Sequence, residues 1–533
     1  MDANPSPVFN HADLFEGIAD RLPDRVALAC DGEHLTFREL DEVANRLAHA
    51  LLAAGVQPGQ HVGMQLYNGV PYVVALIATM KIRAVPVNVN YRYVEAELEY
   101  LYGDSDIVAL LYDVEFDARV ANVAPVQEKL RTLIAVGGAS AVPGAVEYDA
   151  LLAGQPAGRG FGPRREDDTY IVYTGGTTGM PKGVMWDTKD ILFAFANPTY
   201  PAPETPQGWI DHAANSGTLT MMPVAPLMHG AAQVAIWIAW WMGATVVFTR
   251  KFDGHGVWKT IETEKVNSLT ITGDAMAIPM ADALEKAVKE GNGYDLSSLF
   301  AYVSTGAIFT GTVRDRIQEL LPNVMVLDRF GSTESGSTAQ ATTGSSPEKG
   351  LRFAPDVENI AVLDDGLEIV QPGSGVMGQV ARTGFIARGY YKDEAKTAKT
   401  FPTTPDGRRW LLTGDIATVE EDGTIAVFGR GSQTINTGGE KVFPEEVEAV
   451  LKGHPAVFDA VVTGIPDERF GYRVAAVVQL RDPDVAREDL DAHCRKELSG
   501  YKVPRTYAFV PEMKRSPAGK ADYRWAKEIA QGS

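Results

Sequence analysis

Short apolar runs alternate with amphipathic helical stretches along the first part of the chain, and this alternation constrains the fold more than any other feature. Residues 36–56 predict a helix, because apolar side chains recur on one face and Gly55 follows as a stop. Strand–helix alternation predicts an α/β fold with mostly parallel sheets flanked by helices. The further predicted helices are Tyr72–Lys81 and Tyr93–Gly103, and the predicted strands are His61–Leu66, Ala84–Val89, Ile107–Tyr112, Ala244–Thr249, Ser268–Thr272, Ala301–Ser304 and Val324–Asp328.

The pattern changes beyond about residue 350. Short strands separated by glycine turns, such as Gly378–Thr383 and Thr424–Phe428, predict a small β-rich subdomain. A compact α/β unit begins at Gly431. We therefore expect a large N-terminal domain over residues 1–430 and a small C-terminal domain over residues 431–533. The elements predicted in the smaller domain are helix Pro444–Leu451, strands Val457–Gly464 and Arg473–Leu480, and helix Val485–Leu498.

Charge and cysteine content exclude several classes of protein. The 533 residues include 49 Lys and Arg against 69 Asp and Glu, and the resulting net charge of −20 argues against a nucleic-acid partner. Cys30 and Cys494 are the only cysteines and form no CxxC pair, so neither a disulfide framework nor a structural zinc site is predicted. Residues 1–9 lack the features of a signal peptide, and we expect a cytoplasmic protein.

One apolar segment, residues 231–248, approaches the length of a membrane span. Gln233, Gly243 and Thr245 interrupt it, and β-branched residues cluster only at its end. This pattern predicts a buried helix ending near Gly243 and then a short strand, with no integral membrane span. Peripheral contact with a membrane stays open.

Residues 173–183 form the most informative motif, a loop of glycines and threonines that runs into Lys182. Glycines let the backbone approach a ligand closely, and consecutive N–H groups in such a loop can bind an anion. Threonine hydroxyls and the Lys182 ammonium add donors, so the loop suits a polyphosphate. Because Lys182 follows Pro181 and precedes Gly183, the spacing differs from that of the Walker-type loop.

This loop resembles the phosphate-binding signature of the adenylate-forming (ANL) superfamily, which contains acyl-CoA synthetases, the adenylation domains of peptide synthetases and beetle-type luciferases. The resemblance extends over nearly the whole chain. It implies that a carboxylate attacks the α-phosphate of ATP to give acyl-AMP and pyrophosphate, and that a thiol, here CoA, then takes the acyl group. The residues implied to bind phosphate are Thr174, Gly175, Gly176, Thr177, Thr178 and Lys182.

A second motif, Phe330–Glu334, follows the predicted strand Val324–Asp328 and resembles the aromatic-Gly-x-Thr-Glu element of the family. The resemblance implies that Phe330 stacks on adenine beside Gly331, that Thr333 contacts the α-phosphate and that Glu334 holds Mg²⁺. The usual tyrosine is Phe330 here, so a hydroxyl contact is lost. Further residues implied to lie near adenine are Asp328, Gly306 and Ala307.

Thr413-Gly414-Asp415 and the downstream Arg430 resemble the ribose-binding positions of the family. A carboxylate such as Asp415 has lone pairs enough to accept from both ribose hydroxyls. The resemblance also makes the second residue after the arginine, Ser432, the hinge of the C-terminal domain. The family commonly has Asp or Lys there.

Two motifs in the predicted C-terminal domain are implied to serve the two half-reactions in turn. Gly438, Gly439 and Lys441 resemble the segment that lines the pantetheine tunnel. The Gly519-Lys520 pair near the C-terminus resembles the family's Gly-Lys element, in which the lysine bridges the carboxylate and the α-phosphate. Positive charge is needed where negative charge accumulates in that step, and rotation about the hinge would exchange the two motifs.

Pro226–Gly230 resembles the element at the mouth of the acyl tunnel, with His229 as a gate or carboxylate contact. The adenylation domains of peptide synthetases place an acid just after this element to bind the substrate ammonium, and none lies between His229 and Gly243, which argues against an amino-acid substrate. Small residues at 272–277 suit a wide pocket, and together with residues 431–441 they resemble the fatty acid or sterol side-chain acyl-CoA synthetases. This resemblance implies a medium- or long-chain fatty acid or a steroid-linked acid as substrate. An aryl acid is the alternative within the enzyme class, and a luciferase-like oxygenase or a non-catalytic nucleotide-binding protein are alternatives outside it. The sequence is also compatible with a homodimer.

Overall fold

The computed structural model describes residues 7–174, 180–195, 202–307, 309–340, 351–354, 358–437, 440–467, 469–481, 485–515 and 519–532. The chain forms two compact units. The first unit contains residues Met1–Ile271, Asp282–Val303 and Phe385–Thr397, and the second contains Thr272–Ala281, Ser304–Gly384 and Ala398–Ser533.

The α-helices are α1 (His11–Arg21), α2 (Phe37–Ala53), α3 (Val70–Lys81), α4 (Glu95–Asp104), α5 (Asp117–Val123), α6 (Tyr148–Leu152), α7 (Thr188–Phe195), α8 (Pro206–Asn215), α9 (Gly230–Trp241), α10 (Gly254–Glu264), α11 (Asp274–Lys289), α12 (Gly311–Leu320), α13 (Glu394–Thr400), α14 (Pro444–Lys452), α15 (Arg487–Glu497) and α16 (Tyr523–Gln531).

The β-strands are β1 (Val26–Cys30), β2 (Glu33–Thr36), β3 (His61–Gln65), β4 (Val85–Asn88), β5 (Ile107–Asp113), β6 (Thr132–Val136), β7 (Ala145–Glu147), β8 (Thr169–Thr174), β9 (Lys182–Asp187), β10 (Thr220–Pro223), β11 (Thr245–Phe248), β12 (Ser268–Ile271), β13 (Ala301–Thr305), β14 (Met325–Ser332), β15 (Gly336–Gln340), β16 (Leu351–Phe353), β17 (Ile360–Leu363), β18 (Gly378–Arg382), β19 (Gly389–Tyr390), β20 (Leu411–Val419), β21 (Ile425–Arg430), β22 (Ile435–Thr437), β23 (Glu440–Val442), β24 (Val457–Asp467), β25 (Gly471–Leu480) and β26 (Thr506–Phe509).

The first unit contains parallel sheets flanked by helices, as the strand–helix alternation predicts. One sheet has the order β4-β3-β5-β6-β7, and every neighbouring pair in it is parallel. Strands β3 and β5 are buried along their whole length, which is typical of a parallel sheet covered on both faces. A second series in this unit has the order β12-β10-β11-β1-β2, with only the edge strand β2 antiparallel to its neighbour among the pairs β10–β12, β10–β11, β1–β11 and β1–β2.

Local sequence signals fix the helix boundaries of this unit. Helix α2 begins with a capping box, in which the Thr36 side chain and the Glu39 carboxylate satisfy each other's backbone N–H groups. Helix α9 is followed by Gly243 at φ +62°, where a Cβ atom would lie 2.2 Å from the carbonyl oxygen of Ala213. The prediction of a helix and then a strand in the apolar segment is therefore confirmed. No helix within the described part of the chain is both long and apolar enough to span a bilayer.

The second unit contains the β-rich region and the C-terminal α/β region. The β-rich sheet has the order β16-β21-β20-β18-β17, and all its neighbouring strands are antiparallel. In the C-terminal region the order is β23-β22-β25-β24, with β26 beside β25. Alternate residues of β24 and β25 point to opposite faces, as the period of a strand requires. Val462 and Ala476 pack with α14 and α15, while Val461 and Ala475 pack with α16.

One further observation concerns the two cysteines. Cys30 and Cys494 are buried free thiols. The domain boundary after Arg430 stays a prediction, and so does the hinge at Ser432.

Candidate active site

Asp415 and Arg430 lie opposite each other on the neighbouring strands β20 and β21 of the second unit. The Arg430 Nε lies 3.0 Å from the Asp415 Oδ1, and the aspartate side chain is 9% exposed, against 50% for the arginine. Gly414, which precedes Asp415 within β20, has φ +80°, a conformation that favours glycine. Both predicted ribose-binding residues therefore lie side by side on two interior strands of the β-rich sheet.

Glu445, at the start of α14, holds the backbone of Arg430 in place. Its Oε1 accepts a hydrogen bond from the Arg430 N–H at 3.3 Å. A Cβ atom at Gly429 would lie 2.4 Å from the Glu445 Oε2, so a larger residue there would displace this carboxylate from its present position. Burial raises the pKa of Glu445 to about 7, and the nearby Glu448 adds to the rise.

Lys520 is positioned by an arginine five residues earlier. The Arg515 guanidinium binds Asp459 through two contacts of 2.5 and 2.6 Å, and its Nη1 donates to the Gly519 carbonyl at 3.0 Å. A short antiparallel bridge between Arg515 and Ala521 closes this loop. Gly519 itself has φ +73°. The backbone that carries the lysine is therefore held by a largely buried ion pair.

The four charged side chains of the predicted adenylation chemistry lie within electrostatic reach of one another. Desolvation lowers the pKa of Lys520 although part of the residue is exposed, and Arg430 lowers it further, while Glu334 and Asp415 raise it. Burial raises the pKa of Asp415, and Arg430 and Lys520 oppose that rise. The structure thus brings together Glu334, Asp415, Arg430 and Lys520, which come from four separate segments of the chain.

The prediction that Phe330–Glu334 follows a strand ending at Asp328 is wrong. Strand β14 continues through Ser332 and pairs with β15, and the turn lies at residues 333–335. The strand continues because Gly331 allows close pairing: a Cβ atom there would lie 2.3 Å from the carbonyl oxygen of Gly336. Thr333 and Glu334 consequently sit at the tip of a β-hairpin.

Side chains from outside the turn stabilise this hairpin. The Arg382 Nη1 donates to the carbonyl oxygens of Ser335 and Ser337. Phe330 stacks on Phe353, with ring centroids 5.8 Å apart and an interplanar angle of 25°. The Phe330 ring is therefore already fixed by one aromatic neighbour within the β-rich core.

Asp328 lies on β14, two residues before Phe330. Burial raises the pKa of Asp328 to about 7; Arg314 opposes the rise and Asp274 adds to it. Gly306, at φ +76°, and Ala307 follow β13, and the buried Ser304 Oγ accepts a hydrogen bond from the Gly273 N–H at 3.1 Å. The small-residue segment after β13 is thereby tied to the loop that begins α11.

The predicted pantetheine segment also forms a hairpin. Asn436 pairs with Lys441 and Thr437 with Glu440 across strands β22 and β23. Lys441 is exposed. Gly438 and Gly439 lie outside the described residues.

In the first unit, the predicted phosphate-binding loop connects two antiparallel strands. Thr174 is the last residue of β8 and pairs directly with Lys182, the first residue of β9. The residues between them that were predicted to bind phosphate, Gly175, Gly176, Thr177 and Thr178, lie outside the described residues. The Lys182 Nζ makes an ion pair with the Oδ2 of Asp393.

His229 immediately precedes α9, and the start of that helix packs closely on β8. A Cβ atom at Gly230 would lie 2.9 Å from the Val172 side chain. A small pocket of about 30 Å³ is lined by His229, Met228, Tyr173, Asn88, Asn90, Tyr93 and Leu101. His229 and the end of β8 therefore border one pocket.

Asn88 joins the two sides of this pocket. Its Nδ2 donates to the carbonyl oxygens of Tyr173 at 2.8 Å and Met228 at 2.6 Å, and its Oδ1 accepts from the Tyr173 N–H at 2.7 Å. The residue is only 4% exposed. Asn88 fixes the backbone on both sides of the pocket.

Sequence reasoning missed four positioning residues, which are Asn88, Asp393, Glu445 and Arg515. Each is a polar or charged residue whose partner lies far away in the chain or on another element. The sequence contains a weak signal for Asn88 alone, because an asparagine inside an apolar parallel strand is unusual. The other three are charged residues of ordinary surface type in sequence terms.

A magnesium site can be tested against the donor set. Among the described residues, no group of three or more His, Cys, Asp or Glu side chains is placed to hold a metal ion. Mg²⁺ usually takes one or two carboxylates and completes its octahedron with water and substrate phosphates. The single carboxylate of Glu334 near Asp415 fits such a site.

Comparison with known proteins places the chain in a family. The family model described as AMP-binding enzyme matches residues 15–391, and the model described as AMP-binding enzyme C-terminal domain matches residues 446–520. A medium/long-chain-fatty-acid–CoA/3-oxocholest-4-en-26-oate–CoA ligase from Mycolicibacterium smegmatis is 48% identical over 98% of this chain and 96% of its own length. A 3-oxocholest-4-en-26-oate–CoA ligase from Rhodococcus rhodochrous is also 48% identical, over 97% of this chain and 95% of its own length.

A solved structure agrees on the fold. The anthranilate CoA ligase AuaEII in complex with anthranoyl-AMP superimposes with a TM-score of 0.83, over 98% of this chain and 97% of its own, at 23% sequence identity. ATP and CoA are the shared substrates of adenylate-forming CoA ligases. The chain belongs to the AMP-binding enzyme family of the adenylate-forming superfamily and is an AMP-forming acyl-CoA ligase.

Proposed function

We propose that the enzyme activates a hydrophobic carboxylic acid, either a medium- or long-chain fatty acid or a steroid side-chain acid, and delivers it to CoA. The observation that supports the chemistry is the cluster of Glu334, Asp415, Arg430 and Lys520. The substrate class is supported by the names of the relatives, which this chain matches over nearly their whole length. It is also supported by the sequence between His229 and Gly243, which contains no acidic residue.

In the first half-reaction, a carboxylate oxygen of the acid attacks the α-phosphorus of ATP. The bond to the bridging oxygen breaks, and pyrophosphate leaves with the electron pair. The reaction brings two anions together, so the barrier falls where fixed positive charge faces the developing negative charge. Lys520 has this role in the proposal, because its ammonium lies near the groups proposed to hold the nucleotide.

Asp415 and Arg430 hold the ribose, and Phe330 lies against adenine. The Asp415 carboxylate accepts hydrogen bonds from the ribose hydroxyls, while the ion pair with Arg430 favours its charged form and orients it. Asp328 recognises the adenine amino group. Binding of this kind contributes mainly by positioning the α-phosphate for attack. In the first unit, Thr174 and Lys182 bind the polyphosphate, and His229 contacts the carboxylate end of the acid.

Glu334 is the residue that would hold Mg²⁺, which when bound neutralises phosphate charge. Thr333, beside Glu334 at the hairpin tip, donates its hydroxyl to the α-phosphate. Both residues are carried on a turn whose backbone is fixed by Arg382. Contacts within the protein therefore hold the backbone next to these two residues.

In the second half-reaction, the CoA thiol sulfur attacks the acyl carbonyl, the bond to AMP breaks, and the thiol loses its proton. Gly438, Gly439 and Lys441 line the path of the pantetheine arm in this proposal. Ser432 is the hinge that exchanges them with Lys520. The nucleotide cluster and the pantetheine segment then act in sequence rather than together.

The test is AMP release with ATP, Mg²⁺ and CoA across fatty, steroid side-chain and aryl acids. CoA-dependent AMP release with fatty or steroid acids and not with aryl acids supports the proposal. A preference for aryl acids contradicts the substrate class. Pyrophosphate exchange without CoA-dependent AMP release contradicts CoA as acceptor, and light emission with a luciferin would favour the oxygenase alternative.

The role of Lys520 has its own test. We expect Lys520→Ala to slow pyrophosphate exchange about 100- to 1000-fold while thioester formation from supplied acyl-AMP changes only a few fold. Lys514→Ala is the matched control, because Lys514 is an exposed lysine of the same loop. Equal losses in both half-reactions would contradict a role confined to adenylation.

We also propose a cytoplasmic location and a homodimeric state. Fractionation of the cells that make the protein and light scattering of the purified enzyme test these two points. Recovery in the membrane fraction or a monomeric mass would contradict them.

A further inference from the structure

The Lys182 ammonium contacts a carboxylate that already has another task. Asp393 directly precedes α13, and its Oδ1 accepts a hydrogen bond from the Lys396 N–H at 3.0 Å. Its Oδ2 accepts from the Lys182 Nζ. One oxygen thus caps the helix and the other binds the lysine, and the pKa of Asp393 is lowered chiefly by the bond from Lys182.

Asp393 is held in this place by the two residues before it. The Tyr391 hydroxyl donates to the Asp106 Oδ2 at 2.9 Å, and the Lys392 Nζ lies 2.8 Å from the same oxygen. The Tyr391 N–H donates to the Gly183 carbonyl at 2.8 Å. The strap formed by residues 389–393 is therefore bound both to Asp106 and to Gly183, the residue after the lysine. These contacts fix the backbone that carries the Asp393 carboxylate.

The strap also belongs to the same sheet as the lysine. Strand β19 pairs antiparallel with β9, with Tyr390 opposite Val184. On the other side of β9, Lys182 pairs with Thr174. Asp393 and the threonine end of the phosphate-binding loop are thus both anchored to the first residues of β9.

We propose that Asp393 is a positioning residue that acts as the built-in counter-ion of Lys182, and that the phosphates of ATP must displace it from the ammonium. A carboxylate oxygen and a phosphate oxygen are both anionic acceptors and compete for the same N–H donors. The inference rests on the proposed role of Lys182 in phosphate binding. Its consequence is a weaker hold on ATP and an easier release of pyrophosphate.

Two neutral variants separate this role from helix capping. Asn and Ser are good N-cap residues, so Asp393→Asn and Asp393→Ser retain the cap of α13 and remove only the charge. The matched control is Glu394→Gln, because Glu394 is the adjacent carboxylate and is exposed. Near-equal thermal midpoints of the four proteins would show that the fold is intact.

The measurement is the pyrophosphate exchange reaction of the full-length enzyme. We expect both Asp393 variants to lower the KM values for ATP and for inorganic pyrophosphate about three- to fivefold, since a partly exposed ion pair is worth up to about 1 kcal/mol. Glu394→Gln is expected to match the wild type. An unchanged or raised KM for ATP in Asp393→Asn and Asp393→Ser overturns the proposal.

A double-mutant cycle separates failure of this inference from failure of the proposed function. Lys182→Met alone is expected to raise the KM for ATP, and adding Asp393→Asn to it is expected to change nothing further. If Lys182→Met leaves the KM for ATP unchanged, the proposed role of Lys182 fails. If Lys182→Met raises it but Asp393→Asn has the same effect with and without Lys182, only the counter-ion role fails.

Discussion

A Cβ atom at Gly519 would lie 2.7 Å from the Cβ of Ala275, so the backbone before Lys520 packs directly on the first turn of α11. This contact and the hydrogen bond from Arg515 to the Gly519 carbonyl both hold the residue that directly precedes Lys520. The position of the lysine therefore depends on a residue without a side chain.

We expect Gly519→Ala to slow adenylation at least tenfold, although the lysine is retained. The added methyl group forces the segment away from Ala275, and residue 519 also takes a conformation that favours glycine. The measurement is the rate of pyrophosphate exchange. Gly471→Ala is the control, because Gly471 has a similar φ of +76° but nothing within 4 Å of the added atom. Equal effects of the two variants would show that backbone strain, and not the position of Lys520, is responsible.

Asp415→Asn is expected to lower kcat/KM for ATP about 10- to 100-fold, because hydrogen bonds to a charged acceptor are worth about 1.5–3 kcal/mol. The variant should also lose most of the preference for ATP over 2′-deoxy-ATP. Asp422→Asn serves as control, since Asp422 lies in the exposed turn between the same two strands. A preference retained in Asp415→Asn would contradict ribose recognition by this residue.

Glu445→Gln is expected to alter the pH dependence of stability. The pKa of Glu445 is raised in the folded protein to about 7 from an ordinary value near 4.5. Between these values the folded state keeps a proton that the unfolded state loses, so the wild type loses stability as the pH rises through this window. The neutral glutamine avoids this loss.

Above pH 7 the glutamine variant should therefore unfold at a higher temperature than the wild type, and its free energy of unfolding should be higher by at most about 3 kcal/mol. Near pH 4.5 the two proteins should unfold at nearly the same temperature. Thermal unfolding across this range tests the point. Glu512→Gln, at an exposed position, is expected to have no such effect. A constant difference at every pH would rule out ionisation as the cause.

Asn88→Ala is expected to lower the free energy of unfolding by about 3 kcal/mol, because it leaves three buried backbone groups of Tyr173 and Met228 without their partner. The KM for the acid should rise as well, since the same bonds fix the backbone beside His229. Denaturant unfolding and acid-dependent AMP release measure the two effects. Asn122→Ala, at an exposed asparagine, should change neither.

The elements of the fold could be predicted where a local pattern decides them. The capping box and the apolar face of helix α2 both lie within a short stretch of sequence. In β24 and β25, successive apolar residues pack on opposite faces of the sheet, so the sequence itself indicates that both faces are buried. The extent of β14 could not be predicted, because Phe330–Ser332 join the strand only through pairing with β15. A strand boundary of that kind depends on its partner and not on the residues alone.

In the candidate site, too, some residues could be predicted from local sequence and others could not. Asp415, Arg430 and Lys520 stand in short motifs, so the resemblance could locate them one by one. The residues that hold them do not stand in such motifs. Arg515 binds Asp459, which lies 56 positions away in sequence, and Asp393 binds Lys182, which lies 211 positions away. Such partners carry no local signature, since their chemistry is that of ordinary surface charges.

Strand β19 has a consequence for how the protein is made. Until residues 389–393 have left the ribosome, β9 has an unpaired edge and Lys182 lacks its carboxylate partner, because both are supplied by the strap. An unpaired strand edge is prone to association with other chains, and domains generally fold as units during synthesis. A fragment that stops before Gly389 would therefore contain the whole phosphate-binding sequence and yet expose the edge of β9, and one that stops before Asp393 would still lack the carboxylate partner of Lys182. Residue 393 is thus the earliest end point that supplies both.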